Sequence, residues 1–400
     1  MIEATTSAIH GRRQNWDAVV IGAGPAGAVT ALGLARRGVA VLLVDRRNFP
    51  RAKVCGGCLN GDSVTALRSL GLGPNLDGLG GTPLDRFCVL AGGRQLSLEL
   101  PTGLAVSRYR LDAMLVEAAI EAGADFLPST RMGVNRGKPG QAFREVTCSE
   151  QGRPLNLRAR VVVLATGLAA DLHIDDPDLA IRQSPGSRIG VATTATSYPD
   201  YYEPGTIFMA VSRSGYVGLT RTEDHVLNIA AALDVASVRA LNPAAVCERI
   251  LVDAAFPVTQ SMLSGDWSGT IGLTRSRVKP SSERLFVVGD AAGYVEPFTG
   301  EGMAWAIRGG RAVVPFALKA VNDWYGKLSD EWSDELQTLV ARSQKLCRAL
   351  AWGLRYPLLV HGMLGAVGIM PGLGRIIIRR LNRESELEFS NTRPGHSSAA

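Results

Sequence analysis

Asp17-Ala-Val-Val-Ile21-Gly22-Ala23-Gly24-Pro25-Ala26-Gly27 is the stretch that decides the fold. A short apolar strand runs straight into three glycines. Their spacing permits a tight turn, close backbone approach to a pyrophosphate and close packing of a helix on the strand. From Pro25 to Arg37 the apolar residues recur with helical spacing, and the start of that helix offers free amides and the positive end of its dipole to an anion. Val39 to Val44 reads as a second buried strand. Asp45 stands at its end, where a carboxylate accepts hydrogen bonds from ribose hydroxyls. A glycine turn by itself is unspecific; strand, spacing and acid together predict a βαβ unit that holds a dinucleotide.

Composition sets the frame around that unit. The chain has 400 residues, 46% of them hydrophobic, and 45 glycines. This suits a large globular α/β (α+β) protein of two interleaved domains. The 43 basic and 37 acidic residues leave a net charge of +6 without a dense basic block, so nucleic acid is not expected as a partner. The six cysteines are scattered apart from Cys55 and Cys58, and Met1 to Trp16 carries no apolar core of signal-peptide length, which together predict a cytoplasmic protein.

Farther along, Arg108 to Ala122 reads as a helix and Val161 to Leu164 as a strand. Between Gly190 and Leu233 the pattern alternates, as in Ile207 to Val211, Tyr216 to Thr220 and His225 to Ala231, which suits an antiparallel sheet. A buried strand returns at Leu285 to Val288. Helices follow over Met303 to Val321, Asp330 to Trp352 and Arg355 to Arg380. The expected division is a flexible extension at 1–15, a dinucleotide-binding domain over 16–185 and 270–325, an antiparallel substrate domain over 186–269, a helical cap at 326–383 and a disordered tail at 384–400.

A second motif narrows the cofactor. Arg284-Leu-Phe-Val-Val-Gly289-Asp290-Ala-Ala-Gly293 resembles the second flavin fingerprint of the para-hydroxybenzoate hydroxylase fold, in which the aspartate binds the ribityl chain. Val106-Ser-Arg108-Tyr-Arg110-Leu-Asp112 resembles the arginine motif that contacts FAD in the same superfamily, and Ala165-Thr-Gly167 matches its other nucleotide-side turn. Pro297-Phe-Thr-Gly300-Glu-Gly302-Met303 opens a helix whose amides would stabilise negative charge on reduced flavin. The resemblance implies a three-layer, Rossmann-like FAD-binding domain with an inserted antiparallel substrate sheet and a helical C-terminal extension. The implied FAD contacts are Gly22, Ala23, Gly24, Pro25, Ala26, Gly27, Asp45, Arg46, Arg108, Gly289, Asp290, Gly300, Gly302 and Met303.

Within the superfamily the chain resembles the geranylgeranyl-reductase-like branch, through Pro50-Arg-Ala-Lys53-Val-Cys55-Gly-Gly57 and Glu296-Pro-Phe-Thr-Gly300-Glu-Gly302. It departs at Gly215-Tyr216-Val-Gly-Leu-Thr220, where reductases of that branch carry an aromatic and proline-containing motif. The halogenase tryptophan motif and the Asp-Gly motif of many NADPH-using hydroxylases are absent. These features imply a monooxygenase that hydroxylates a hydrophobic aromatic, polyketide-like or lipid-like compound, with NAD(P)H or a partner reductase as electron donor. Reduction of an isoprenoid carbon-carbon double bond is the alternative, and a non-catalytic prenyl-lipid escort the third class.

No side chain stands out as acid or base; Cys55 and Tyr216 are the cavity candidates. A redox disulfide of Cys55 and Cys58 is the minor reading of that pair, because no second nucleotide-binding glycine motif is present. The histidines His173, His225 and His361 lack metal-ligand spacing, so no metal is expected. Leu358 to Gly374 is apolar and flanked by arginines, which suits either a helical cap or peripheral membrane contact.

Overall fold

The computed structural model describes residues 1–5, 14–150, 153–168, 173–296, 298, 300–356, 359, 360, 362 and 365. The Asn15–Ile21 strand is buried on both faces from Ala18 onward, a condition met by a parallel sheet with helices or strands packed over it. It lies between Val41–Val44 and Arg153–Leu164, with Val20 opposite both Leu43 and Val163. Asp125–Leu127 extends the parallel set on one side and Leu285–Val287 on the other. The carboxyl ends of the first strand, of Arg153–Leu164 and of Leu285–Val287 therefore stand side by side, where an open α/β sheet places its ligand.

One face of this sheet packs on helices Pro25–Ala35, Arg108–Glu121 and Gly302–Asn322 in a shared core that includes Leu32, Leu115, Phe286 and Ile307. The opposite face packs on the antiparallel strands Arg131–Val134 and Arg144–Glu150 through Met132, Val134 and Val146. The Pro25–Ala35 helix starts with proline in its first turn and is buried along its whole length. It meets Gly302–Asn322 at backbone distance: a Cβ on Gly310 would lie 2.3 Å from the Ala26 carbonyl oxygen. Thr30 Oγ1 donates across that contact to the Gly310 carbonyl at 3.0 Å.

The second sheet has eight strands in the order Ser268–Gly272, Ile189–Ala195, Leu227–Leu233, Gly215–Arg221, Thr206–Ser212, Thr82–Ala91, Arg94–Ala105 and Cys58–Leu59. Side chains alternate across it. Phe208, Ala210 and Val217 turn to the Pro243–Asp253 helix and meet Val246, Cys247, Ile250 and Leu251. Their neighbours turn the other way, toward the first domain.

Two of the expected boundaries change. Residues 82–105, expected inside the dinucleotide-binding part at 16–185, form a hairpin of the second sheet. Cys88 to Ala91 is an apolar run buried on both faces, Cys88 and Leu90 against the core under the Pro243–Asp253 helix, whereas the outer strand keeps Ser97 and Glu99 exposed. The extension expected to be flexible at 1–15 is anchored at its start: Ile2 N donates to Phe49 O at 2.8 Å, and Thr5 exchanges hydrogen bonds with Phe126. Among the described residues a long helix runs Lys327–Gly353, and most of the apolar segment at 358–374 and all of the tail at 384–400 fall outside them.

Substituting Gly310 by Ala places a methyl against Ala26 and should lower unfolding stability by about 2 kcal/mol, the usual cost of forcing atoms into a packed core. Chemical denaturation of the wild type and Gly310→Ala measures it; an unchanged midpoint and slope would show that the helix contact has slack.

Candidate flavin and substrate site

The first glycine turn is closed by contacts only glycine allows. Gly22 adopts φ +107°, and a Cβ there would sit 2.3 Å from the Ala165 carbonyl oxygen of the neighbouring strand end. On Gly27 a Cβ would sit 1.8 Å from the Gly22 carbonyl oxygen. The helix start is thereby drawn onto the strand end, and its cap, Gly24, has no side-chain hydrogen bond of its own. Asp45 is set by two backbone amides, Ala23 N to Oδ2 and Arg47 N to Oδ1, both at 2.9 Å. That leaves lone pairs on each oxygen for further donors.

Beside the turn lies a buried charge cluster. Arg108 donates a fork to Asp112, Nε to Oδ1 at 2.7 Å and Nη2 to Oδ2 at 2.8 Å. Asp112 also pairs with Arg51 Nη1 at 3.1 Å. Ser107 caps the helix that carries the fork, accepting from Arg110 N at 3.2 Å. A Cβ on Gly24 would lie 3.5 Å from Arg108 Nη2 and 3.7 Å from Arg51 Nη2. The missing side chain at Gly24 thus leaves a gap between a helix N-terminus and two guanidinium groups, a setting suited to a pyrophosphate.

Asp290 follows Gly289, whose φ is +60° and whose built Cβ would come 3.0 Å from Ala26 Cβ. Burial pushes the Asp290 carboxyl above its usual range, against the pull of Lys53, Arg108 and Arg275. Lys53 moves the opposite way, its ammonium lowered by burial and then by Arg108, with Asp290 opposing. Its Nζ would be 2.8 Å from a Cβ on Gly167, at the strand end beside Gly22. The Gly302–Asn322 helix begins next to this group with Met303 buried and Tyr294 packed against Gly302.

Gly22, Gly24, Asp45, Arg51, Lys53, Arg108, Asp290 and Met303 open on one cavity of about 1090 Å³, just above the roughly 300–1,000 Å³ usual for small-molecule sites. Its polar half carries the glycine turn, Asp45, Arg51, Lys53, Arg108 and Asp290. Its other half rests on the second, eight-stranded sheet. One row of directly paired residues runs Leu96, Val89, Met209, Gly218, Ala230; a second runs Val211, Tyr216, Ala232, Gly190. Phe87 and Phe298 complete an aromatic wall, the Phe298 ring standing edge-on to Tyr216 at 5.1 Å and to Phe87 at 6.1 Å.

Behind Tyr216 is a second buried ion cluster. Arg188, fully buried, donates Nη1 to Glu296 Oε1 and Nε to Asp234 Oδ1, each at 3.1 Å. Its guanidinium stands 5.9 Å from the Tyr216 ring. Burial and then the Glu296 carboxylate hold the Tyr216 phenol well above its ordinary range.

The expected FAD contacts converge: Gly22, Gly24, Pro25, Ala26, Asp45, Arg46, Arg108, Gly289, Asp290, Gly300, Gly302 and Met303 all line the cavity. Ala23 contributes its amide to Asp45, and Gly27 closes the turn from behind. Cys55 and Tyr216 line it too. Cys55 and Cys58 are both free thiols, and burial pushes Cys58 up to about 12, so its reactive thiolate is scarce at neutral pH. Arg51, Lys53 and Asp112 were not picked out as site residues from the sequence. The run Arg46-Arg47 to Arg51-Ala-Lys53 was the available signal, since basic residues just after the second strand have the pyrophosphate and flavin within reach.

Replacing Asp290 by Ala removes the carboxylate that balances Lys53 and should lower FAD occupancy at least tenfold under dilution, read from flavin absorbance per protein. A fully yellow Asp290→Ala protein would contradict the assignment. Reductive titration without air should take up two electrons per FAD in both wild type and Cys58→Ser. Two further electrons in the wild type would instead reveal a working dithiol pair.

Comparison with known proteins agrees with this geometry. The family model described as FAD binding domain matches residues 15–315. A menaquinone reductase of Mycolicibacterium smegmatis is 26% identical over 370 residues, covering 85% of each chain. A digeranylgeranylglycerophospholipid reductase of Methanothermobacter thermautotrophicus is 29% identical over 339 residues, covering 77% of this chain and 78% of its own. Among solved structures, the flavin-dependent brominase Bmp2 superposes with a TM-score of 0.75 at 16% identity, over 92% of this chain and 93% of its own, which is a likeness of fold. The glycine turn, the two aspartates and the arginine fork are the parts such a cofactor requires, and the chain belongs to the FAD-binding family of para-hydroxybenzoate hydroxylase fold, as an FAD-dependent oxidoreductase.

Proposed function

We propose that this oxidoreductase hydroxylates a hydrophobic aromatic compound, polyketide-like or lipid-like, with FAD reduced by NAD(P)H or by a partner reductase. The observation that carries the reading is the composition of the chamber wall opposite the cofactor half. Tyr216 stands in an aromatic wall with Phe298 and Phe87, over a floor that includes Gly190, Gly218, Ala230 and Ala232. Small floor residues beside edge-on rings suit a flat aromatic guest.

Bound and reduced, FAD supplies the electrons and activates dioxygen. The chain's own residues position and dry the reactants. Arg188 holds Glu296 by a charge-assisted hydrogen bond, so that carboxylate stays fixed behind the tyrosine. A Tyr216 hydroxyl that donates to Glu296 keeps oxygen lone pairs with which to accept from a substrate hydroxyl. The apolar rows exclude water around the reacting centre. At the cofactor end, Lys53, Arg108 and the start of the Gly302–Asn322 helix favour negative charge.

A second reading, reduction of an isoprenoid carbon-carbon double bond, is favoured by the reductase names of the curated relatives. The leucines Leu96, Leu98 and Leu100 along the hairpin would take an extended chain as readily as an alkyl tail. The complete FAD site weighs against a prenyl-lipid escort without redox chemistry. We place the enzyme in the cytoplasm, with its C-terminal helices meeting the membrane surface; among the described residues no helix is long and apolar enough to cross one.

The hydroxylase reading predicts turnover that consumes oxygen in step with product and puts an atom of labelled dioxygen into it. Saturation of a substrate double bond in air-free assay, with no label incorporated in air, would leave the reductase in its place. Tyr216→Phe should lower kcat/KM about tenfold, the worth of one buried hydrogen bond, at unchanged FAD occupancy. An unaltered rate would remove Tyr216 from substrate recognition.

A further inference from the structure

The chamber's apolar end reaches the far end of the Lys327–Gly353 helix. Leu350, Leu354 and Val360 line the cavity, while residues on the outer side of the same segment are exposed: Leu346 at 36%, Trp352 at 59%, Tyr356 at 47% and Leu359 at 45%. The Trp352 and Tyr356 rings lie 4.9 Å apart, forming one aromatic ledge. Exposed large apolar residues grouped in this way are unusual on a water-facing surface. Lys345 and Arg348 are exposed on the turns just before the ledge.

Charge identifies the partner. From Leu336 to Arg383 the sequence contains no aspartate or glutamate, while Arg342, Lys345, Arg348 and Arg355 stand on or next to the helix and further arginines follow at 375, 379 and 380. A basic segment with tryptophan, tyrosine and leucine between its charges is the composition of a helix lying in a membrane interface, aromatic rings at headgroup depth and cations against anionic lipid. We infer that this helix end docks on the anionic surface of a lipid bilayer and sets the apolar mouth of the chamber, at Leu350, Leu354 and Val360, against it. A lipophilic substrate then passes from bilayer to chamber without crossing water. The passage rests on the proposed lipophilic substrate; the docking does not.

The test is sedimentation of the full-length, FAD-loaded chain with vesicles of phosphatidylcholine alone, and of phosphatidylcholine with one third phosphatidylglycerol. Binding should favour the anionic vesicles and weaken as salt is raised. Lys345→Gln with Arg348→Gln should lower partitioning at least tenfold, and Trp352→Ser with Tyr356→Ser should lower it to a similar extent. Flavin absorbance of each variant confirms an intact fold, and the charge pair serves alone if the aromatic pair fails to fold. Equal binding to both vesicle types, no binding to either, or wild-type partitioning of the charge variant would overturn the inference. So would a concentration-dependent dimer, abolished by the aromatic substitutions, in a protein that ignores vesicles, since the ledge would then belong to a second copy. Turnover of detergent-dispersed substrate is followed separately: its absence beside intact vesicle binding would count against the proposed reaction and leave the docking standing.

Discussion

Everything at the cofactor end depends on three places where backbone meets backbone with no side chain between. Gly22 lies on the end of the Arg153–Leu164 strand, Gly27 on Gly22, and Gly310 on Ala26. Each contact is too close for a Cβ, and together they lock the first helix against its strand and the Gly302–Asn322 helix against the first helix. The amides, Asp45 and Asp290 hold their mutual positions because these elements cannot slide apart. The buried charges need that rigidity. Arg108, Arg51 and Asp112 repay the cost of their burial only while their hydrogen-bond geometry holds.

The two halves of the cavity use charge in opposite ways. Near the glycine turn, Arg51, Lys53 and Arg108 line the space itself, a setting that favours an anionic guest. On the sheet side the ions are kept behind the wall. Arg188 is held between Glu296 and Asp234 by Nη1 and Nε while its buried Nη2 makes no hydrogen bond, and of this group it is Tyr216 that lines the cavity. One half can therefore select for phosphate and the other for shape and a single polar contact.

The cofactor site was largely legible because its requirements are local. Turn glycines, a carboxylate at a strand end and an arginine at a helix start occur in short segments whose spacing is written in the chain. Arg51, Lys53 and Asp112 join that site through side-chain reach across elements, which spacing does not record. The hairpin at 82–105 escaped for a similar reason: the strand it pairs with, Thr206–Ser212, and the core that buries Cys88 and Leu90 come from segments more than a hundred residues later. Tyr216 could be singled out, but its partners Arg188 and Glu296 lie on separate strands and loops that meet only when the sheet forms. The anchoring of Ile2 and Thr5 left no trace in composition, since two of its three hydrogen bonds are backbone to backbone and the third needs only the one hydroxyl of Thr5.

That hairpin has a consequence for how the molecule is made. Thr82–Ala91 pairs in parallel with Thr206–Ser212, so the chamber floor cannot form until the chain between them has been synthesised and has crossed back. During that interval the hairpin's apolar face and its unpaired strand edge are open to other chains. Such long-range parallel pairing is slow, because a large loop must close before any contact repays it. Flavin, whose site is assembled from segments as distant as Gly22 and Met303, arrives at a nearly finished protein and stabilises only the completed arrangement. Bound flavin therefore shifts the balance toward the closed arrangement and away from forms in which the hairpin is unpaired.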